Sequence, residues 1–241
     1  MQLQTGSKLS SGKTKTIYET TEADYCIIEF RDDATAFNAE KHELLVGKGK
    51  INNYFNEFFM RKLNEAGIAN HFVSRLDKTH SLVKKLTMLP IECVVRNVAA
   101  GGICKRYHIT EGMRLNPPIF EFFLKDDKAG DPLINESHII TFGWANEVEI
   151  AELQAITLQV NQVLQSLFND VGFQLVDYKL EFGRYNGRLL LGDEFTPDGC
   201  RIWDIETKEK YDKDRFRNDL GHVLDYYRQA AERFGIEIPA E

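Results

Sequence analysis

The sequence has little cysteine and no paired cysteine motif. Cys26, Cys93, Cys104 and Cys200 are scattered over 241 residues, which excludes a disulfide framework or a zinc knuckle and predicts reduced, mostly buried thiols. It has no apolar run near the roughly 18 residues that a membrane helix needs, and its first six residues hold no apolar signal core, so a soluble, cytoplasmic protein without membrane contact is expected. Net positive charge is missing too. Lys and Arg number 30 against 37 Asp and Glu, a balance of -7, and the basic residues are not interleaved with an aromatic platform; both points exclude a general nucleic-acid binder. No repeat and no Pro/Gly/Ser-rich linker is present.

Several motifs are absent as well. There is no GxGxxG and no HExxH, and the six histidines show no metal-ligand spacing, which argues against a dinucleotide fold and against zinc. Gly12-Lys13-Thr14 looks like the tail of a phosphate-binding Walker loop. Its required first glycine would fall at Ser7 and no apolar strand precedes it, so that loop is excluded. Gly47-Lys48-Gly49 does not continue as GxGxxG and reads as a plain loop before a helix.

What remains is ordinary globular composition, 43% hydrophobic and 28% charged, in a chain long enough for one large domain or two small ones. Short strand signals at residues 16–18 and 25–30 precede a helix over 50–66, where Ile51, Tyr54, Phe55, Phe58, Phe59 and Leu63 recur at helical spacing and Gly67 follows as a stop. Further β-type runs at 71–76, 81–86 and 91–96 are interrupted by Leu89-Pro90, the expected hinge between a small β-rich lobe (1–88) and a larger lobe (89–241). Asn146 and Glu149 make a capping pattern for a helix that ends at Gly172. Strands at 173–184 and 188–195 are joined through Asn186-Gly187, a hairpin signal. A last helix is predicted over 213–234, with Phe216, Leu220, Val223, Leu224, Tyr227 and Phe234 on one face.

The strand at 176–182 is the most informative segment. A period of two places Val176, Tyr178, Leu180 and Phe182 on one face and Asp177, Lys179 and Glu181 on the other. By itself this is either a solvated polar face or a site. The next strand favours a site: Leu189-Leu190-Leu191-Gly192 should be covered on both faces, so Asp193 and Glu194 at its end point into a cleft. A two-residue turn at Asn186-Gly187 would pair Glu181 with Gly192 and set Asp193 among the leucines. A three-residue loop of Tyr185, Asn186 and Gly187 would pair Lys179 with Asp193 and gather all the charges on one face. The second register is expected, because an unpaired Asp193 buried among leucines would cost several kcal/mol. Carboxylates on neighbouring strands suit Mg²⁺ shared with substrate phosphates. Lys213, Arg215 and Arg217 fall in the first turns of the last helix, where the helix dipole disfavours cations by about 0.3–1 kcal/mol each. They are either a solvated face, with Asp212 and Asp214 in compensation, or an anion site. Arg96 alone is either a strand-end charge or a fork for phosphate or carboxylate.

Seven blocks in order resemble the SAICAR synthetase (phosphoribosylaminoimidazole-succinocarboxamide synthase) family over nearly the whole chain. They are residues 12–18 (Gly-Lys-Thr-Lys-Thr-Ile-Tyr), 33–38 (Asp-Ala-Thr-Ala-Phe-Asn), 47–49 (Gly-Lys-Gly), 90–97 (Pro-Ile-Glu-Cys-Val-Val-Arg-Asn), 177–183 (Asp-Tyr-Lys-Leu-Glu-Phe-Gly), 192–198 (Gly-Asp-Glu-Phe-Thr-Pro-Asp) and 212–217 (Asp-Lys-Asp-Arg-Phe-Arg). The resemblance implies an α+β, two-lobed fold similar to ATP-grasp enzymes and distantly to protein kinases, with ATP between the lobes. It implies an enzyme that joins L-aspartate to the carboxylate of carboxyaminoimidazole ribonucleotide, with ATP hydrolysed to ADP and phosphate through an acyl phosphate.

Carried over residue by residue, the resemblance puts Lys13 and Lys15 on the ATP phosphates and Lys84, Leu86 and Met88 along the adenine. It makes Glu181 and Asp193 the Mg²⁺ ligands that also meet ATP. Arg96 and Arg201 would grip the nucleotide, Asp177 and Lys179 would stand at the reacting carboxylate, and Lys213 and Arg217 would meet an anionic substrate group. Gly102 departs from the pattern, which has a serine after Ala-Ala-Gly, so a hydroxyl donor to the nucleotide phosphate is missing. A small-molecule kinase and a non-enzymatic nucleotide-binding regulator are the competing readings, and a homodimer is the default assembly.

Overall fold

The computed structural model describes residues 5–36 and 40–240; residues 1–4, and Phe37 and Asn38 of the second sequence block, lie outside them. The chain runs β1 (Thr5–Ser11), β2 (Lys15–Thr20), β3 (Tyr25–Phe30), β4 (Asp33–Ala36), β5 (Lys41–Leu44), α1 (Lys48–Glu65), β6 (Phe72–Arg75), β7 (His80–Lys84) and β8 (Thr87–Val98). It continues α2 (Gly102–Tyr107), β9 (Arg114–Leu124), β10 (Leu133–Ile134), α3 (Glu136–Thr141), α4 (Glu147–Asp170), β11 (Phe173–Tyr185), β12 (Arg188–Gly192), β13 (Cys200–Asp204), α5 (Asp214–Arg217) and α6 (Val223–Arg233). This is the expected α+β architecture.

Two antiparallel sheets carry the fold. The first has the order β1-β2-β3-β7-β6; the second runs β10-β9-β8-β11-β12, with β13 also paired to β11. Helix α1 packs against β3, β6 and α6, and its apolar stripe joins the core of the second sheet. Phe59 is fully buried at the hub, with ring centroids 4.8 Å from Phe195, 5.0 Å from Phe234 and 5.5 Å from Phe168. The same apolar face of the second sheet is also covered by α4, whose start has the expected capping box: Asn146 accepts from the Glu149 N–H, and Glu149 accepts from the Asn146 N–H. Tyr178, on the apolar face of β11, donates its hydroxyl hydrogen to the Thr157 carbonyl on α4 (2.9 Å). Cys26, Cys93 and Cys200 are buried free thiols. No described helix is long and apolar enough to cross a membrane.

Three local expectations are corrected. Leu89-Pro90 does not break a strand: β8 runs through it as 12 residues. Between the Met88–Gly183 and Glu92–Glu181 pairs, β8 has more residues than β11, and the proline sits in that bulge, where its missing N–H takes no ladder bond away. The helix expected over 213–234 is two helices. Backbone in the left-handed region at Asp219, Gly221 and His222 separates α5 from α6, so Leu220 is exposed rather than buried, and Phe216 packs on Ala34 and Ala36 instead.

The third correction is the β11–β12 register. Glu181 pairs with Gly192 and Tyr185 with Arg188, which is the two-residue turn, with φ of 49° at Asn186 and 76° at Gly187. Positive φ at both positions is what a type I′ turn demands and what Asn-Gly supplies at low cost. Asp193 avoids burial among the leucines by another route: β12 ends at Gly192, and Asp193 itself takes φ 55°, so the alternation of the strand no longer dictates where it points.

Candidate active site

Strand β11 pairs with β8 along one side and is shared along the other. Its first part pairs with β13 and its last part with β12. Opposite Lys179 neither partner continues; the Lys179 N–H instead donates to the Gly199 carbonyl (3.1 Å). The segment 193–199 therefore has to leave the sheet beside Lys179, and it carries Asp193, Glu194 and Asp198 over the same face that holds Asp177, Lys179 and Glu181. These residues line a cleft of about 730 Å³ together with the β1–β2 turn, Arg96, Gly102, Arg201, Lys213 and Arg217, at the upper end of the range for small-molecule pockets.

At one end the ammonium of Lys179 meets three carboxylates, Glu92 (3.2 Å), Asp193 (3.3 Å) and Glu181. Lys125 also contacts Glu181, and Lys15 contacts Asp193 and Glu194 (2.9 Å). Burial by itself would lower the Lys179 and Lys15 ammoniums, but the surrounding carboxylates win and raise both. Burial would likewise raise Asp193, yet Lys15, Lys179 and Lys125 hold it well below the usual carboxylate range. Glu92 and Glu194 go the other way, raised by burial. The cluster is an alternating lattice of ammonium and carboxylate groups.

The other end is an arginine ladder. Arg96 donates through Nε to Glu121 (2.6 Å) and through Nη1 to Asp177 (2.9 Å); Arg201 donates through Nη1 to the same Asp177 oxygen (2.8 Å) and through Nε to Asp214 (2.8 Å). Arg217 also donates to Asp214 (2.6 Å). Arg201 lies directly over Gly101, where any Cβ would overlap its guanidinium and where φ is 64°, so this position admits only glycine. Arg96 pairs with Asp177 and Glu92 with Glu181; four residues of strand separate the two ends by about 13 Å, with Lys179 between them.

The structure thus brings together Lys13, Lys15, Arg96, Gly102, Asp177, Lys179, Glu181, Asp193, Arg201, Lys213 and Arg217. Lys84, Leu86 and Met88 are not among the residues that line the cleft. Leu86 and Met88 pack where Gly183 and Gly192 lack side chains, next in the chain to Asp193, and the Lys84 ammonium lies 5.8 Å from the Tyr185 ring centre. Lys213 has no ion pair within 4 Å among the described residues, and burial lowers its ammonium. The one-turn helix α5 offers no anion site of its own: Asp212 already accepts the Asp214 N–H (2.7 Å). Gly47-Lys48-Gly49 is not a plain loop. Lys48 is buried at the start of α1 and bonds Asp198 (2.6 Å), which also accepts from Asn52 (2.9 Å) and Tyr227 (2.8 Å), and so ties the segment 193–199 to the helix.

Sequence reasoning gave no site role to Glu92, Glu121, Lys125, Asp214, Arg31 and His71. Arg31 bonds Ser11 (2.6 Å), Thr16 (2.9 Å) and the Gly12 carbonyl (2.7 Å), folding the turn that presents Lys13 and Lys15. His71, held neutral with its pKa lowered to about 4 by burial, donates through Nε2 to the Asp193 carbonyl (2.7 Å) and braces its left-handed backbone. For Glu121 and Lys125 a signal was present: a lone acid inside the apolar run of β9, with a lysine at its end.

The donor set suits a hard cation. Glu181 and Asp193 offer only oxygen, and both already share one ammonium. Among the described residues no cage of three or more His, Cys, Asp or Glu is gathered.

A family model described as SAICAR synthetase matches residues 8–234. A phosphoribosylaminoimidazole-succinocarboxamide synthase of Idiomarina loihiensis is 55% identical over 232 residues, 96% of this chain and 98% of that protein. The crystal structure of the enzyme of that name from Ehrlichia chaffeensis superimposes with a TM-score of 0.94 at 42% identity, covering 97% of this chain and 100% of the other. A SAICAR synthetase in complex with ADP superimposes with a TM-score of 0.93 at 41% identity, covering 96% and 99%.

Proposed function

The chain belongs to the SAICAR synthetase family, and from that premise we propose which residues of its cleft perform the family's reaction. It is an ATP-dependent ligase of purine biosynthesis that joins L-aspartate to the carboxylate of carboxyaminoimidazole ribonucleotide. A carboxylate is a poor electrophile, so the γ-phosphoryl group is moved onto it first. A carboxylate oxygen bonds to the γ-phosphorus as the bond to ADP breaks; the aspartate amine then attacks the acyl phosphate, loses a proton and expels phosphate.

The observation that carries this assignment is the Lys179 ammonium held among Glu92, Glu181 and Asp193 where the sheet divides, because charge moves between two anions at that point and needs a fixed cation. Lys13 and Lys15 meet the ATP phosphates, and the ledge of Lys84, Leu86 and Met88 receives the adenine. Arg96, Arg201 and Gly102 take the nucleotide, whose length spans the cleft from the arginine ladder to Lys179. Lys213 and Arg217 receive an anionic group of the substrates. Asp177, with one oxygen accepting from two guanidiniums, positions Arg96 and Arg201 beside the reacting carboxylate. Mg²⁺ held by Glu181 and Asp193 would neutralise charge on the phosphates when bound.

Residues 1–88 and 89–241 are read as the two lobes, since the first sheet ends with β7 and the second begins with β8, though α1 gives both a common core. The assembly is read as a homodimer and the compartment as the cytoplasm. The test is phosphate release from Mg·ATP with carboxyaminoimidazole ribonucleotide, with and without L-aspartate. Aspartate-dependent release with the succinocarboxamide product is expected, while turnover indifferent to aspartate would mark a kinase.

A further inference from the structure

We infer that Arg106, on α2, binds the 5′-phosphate of the imidazole ribonucleotide and supplies the donor that Gly102 cannot. This rests on the ligase reading above. Two guanidiniums flank the Gly101-Gly102 corner. Arg201 covers Gly101, and Nη1 of Arg106 lies 3.7 Å from where a Gly102 Cβ would stand, so a hydroxyl one bond further out would occupy space that Arg106 already reaches. Nη2 of Arg106 is fixed by Glu121, the same buried carboxylate that holds Arg96. The fork is thereby oriented with Nη1 left to donate, and Arg106 lines the cleft beside Gly102, Arg96 and Arg201.

Geometry selects the phosphate over the substrate's carboxylate. The reacting carboxylate has to meet the transferred phosphoryl group at Lys179, and the Arg96 position lies two strand residues beyond the Lys179 position, about 7 Å away. A ribonucleotide with its imidazole carboxylate at Lys179 extends its phosphate into this corner. There Arg96 and Arg201 each spend two donors on carboxylates, whereas Arg106 has one carboxylate partner and a half-exposed head. Glu121 acts through Arg106 and Arg96 as a positioning residue.

The experiment compares binding of carboxyaminoimidazole ribonucleotide with that of its ribonucleoside, which lacks only the phosphate, by calorimetry on the intact protein. Arg106→Gln should weaken the ribonucleotide roughly 10-fold, the loss of one charge-assisted bond at a half-exposed site, and leave the ribonucleoside unchanged. Arg106→Lys should fall between, and KM for ATP should hold. Gly102→Ser in the Arg106→Gln background should restore part of the affinity by returning a hydroxyl. Equal weakening of both ligands, or no weakening of either, would overturn the assignment, as would a wild-type protein that does not prefer the ribonucleotide. Phosphate-dependent binding through Arg106 without aspartate-dependent turnover would sustain this assignment and overturn only the ligase reading.

Discussion

Replacing Lys179 with Met keeps the length of the side chain and removes its charge, and the structure says where the loss falls. Three carboxylates lose a partner, but unequally. Glu181 keeps Lys125 and Asp193 keeps Lys15, whereas Glu92 keeps no ion pair within 4 Å among the described residues. Stranding a buried charge costs about 3–5 kcal/mol. Glu92 escapes most of that, because its carboxyl is already raised by burial and can take a proton instead, so Lys179→Met should lower stability by only about 1–2 kcal/mol. The catalytic loss should be larger. A preorganised charge that faces the transferred group is worth about 2.7–4 kcal/mol, or 10²–10³ in kcat. The assay is aspartate-dependent phosphate release at saturating Mg·ATP and ribonucleotide, with thermal unfolding in parallel. A folded variant whose kcat stays within about threefold of wild type, or one that raises only the KM for ATP, would refute the role given to Lys179.

Glu181→Gln should raise the Mg²⁺ concentration needed for half-maximal rate by about 10-fold or more while Lys125 and Lys179 lose a common partner; an unchanged Mg²⁺ requirement would show that the ion is held elsewhere. Gly101→Ala should displace Arg201 and raise KM for the ribonucleotide well above that for ATP, and equal effects on both would contradict the placement of the arginine ladder. Phe59→Ala, which empties the hub of the common core, should cost about 3–5 kcal/mol in urea unfolding. Burial and the neighbouring Asp214 raise the Asp212 carboxyl from 3.8 to about 7. The folded protein thus keeps a proton that the unfolded chain releases near pH 4, so this group's contribution to stability declines as pH rises from about 4 to about 7. Asp212→Asn should flatten that stretch of the stability profile, and an unaltered slope would remove Asp212 as its source.

Strands β2, β3, β6, β7, β8, β11 and β12, the capping of α4 and the charged face of β11 were legible because each follows from local periodicity and local hydrogen bonding. What was not legible depends on which strands become neighbours. Glu121 and Lys125 stand out as charges in and just after an apolar run, but they enter the site only because β9 pairs with β8, and two prolines early in β9 hide its strand pattern. The arginine ladder needs β8, β11 and β13 in register, which no window of sequence contains. The hairpin shows the limit most clearly. The premise that Asp193 must not be buried among leucines was sound, but a shifted register is only one way to obey it. Asn186-Gly187 favours the tight turn locally, and the chain satisfies both demands by ending β12 at Gly192, just before Asp193, which takes a left-handed conformation braced by His71. The carboxylate then reaches Lys15 and Lys179 from outside the sheet, so the site owes its position to the break in the strand.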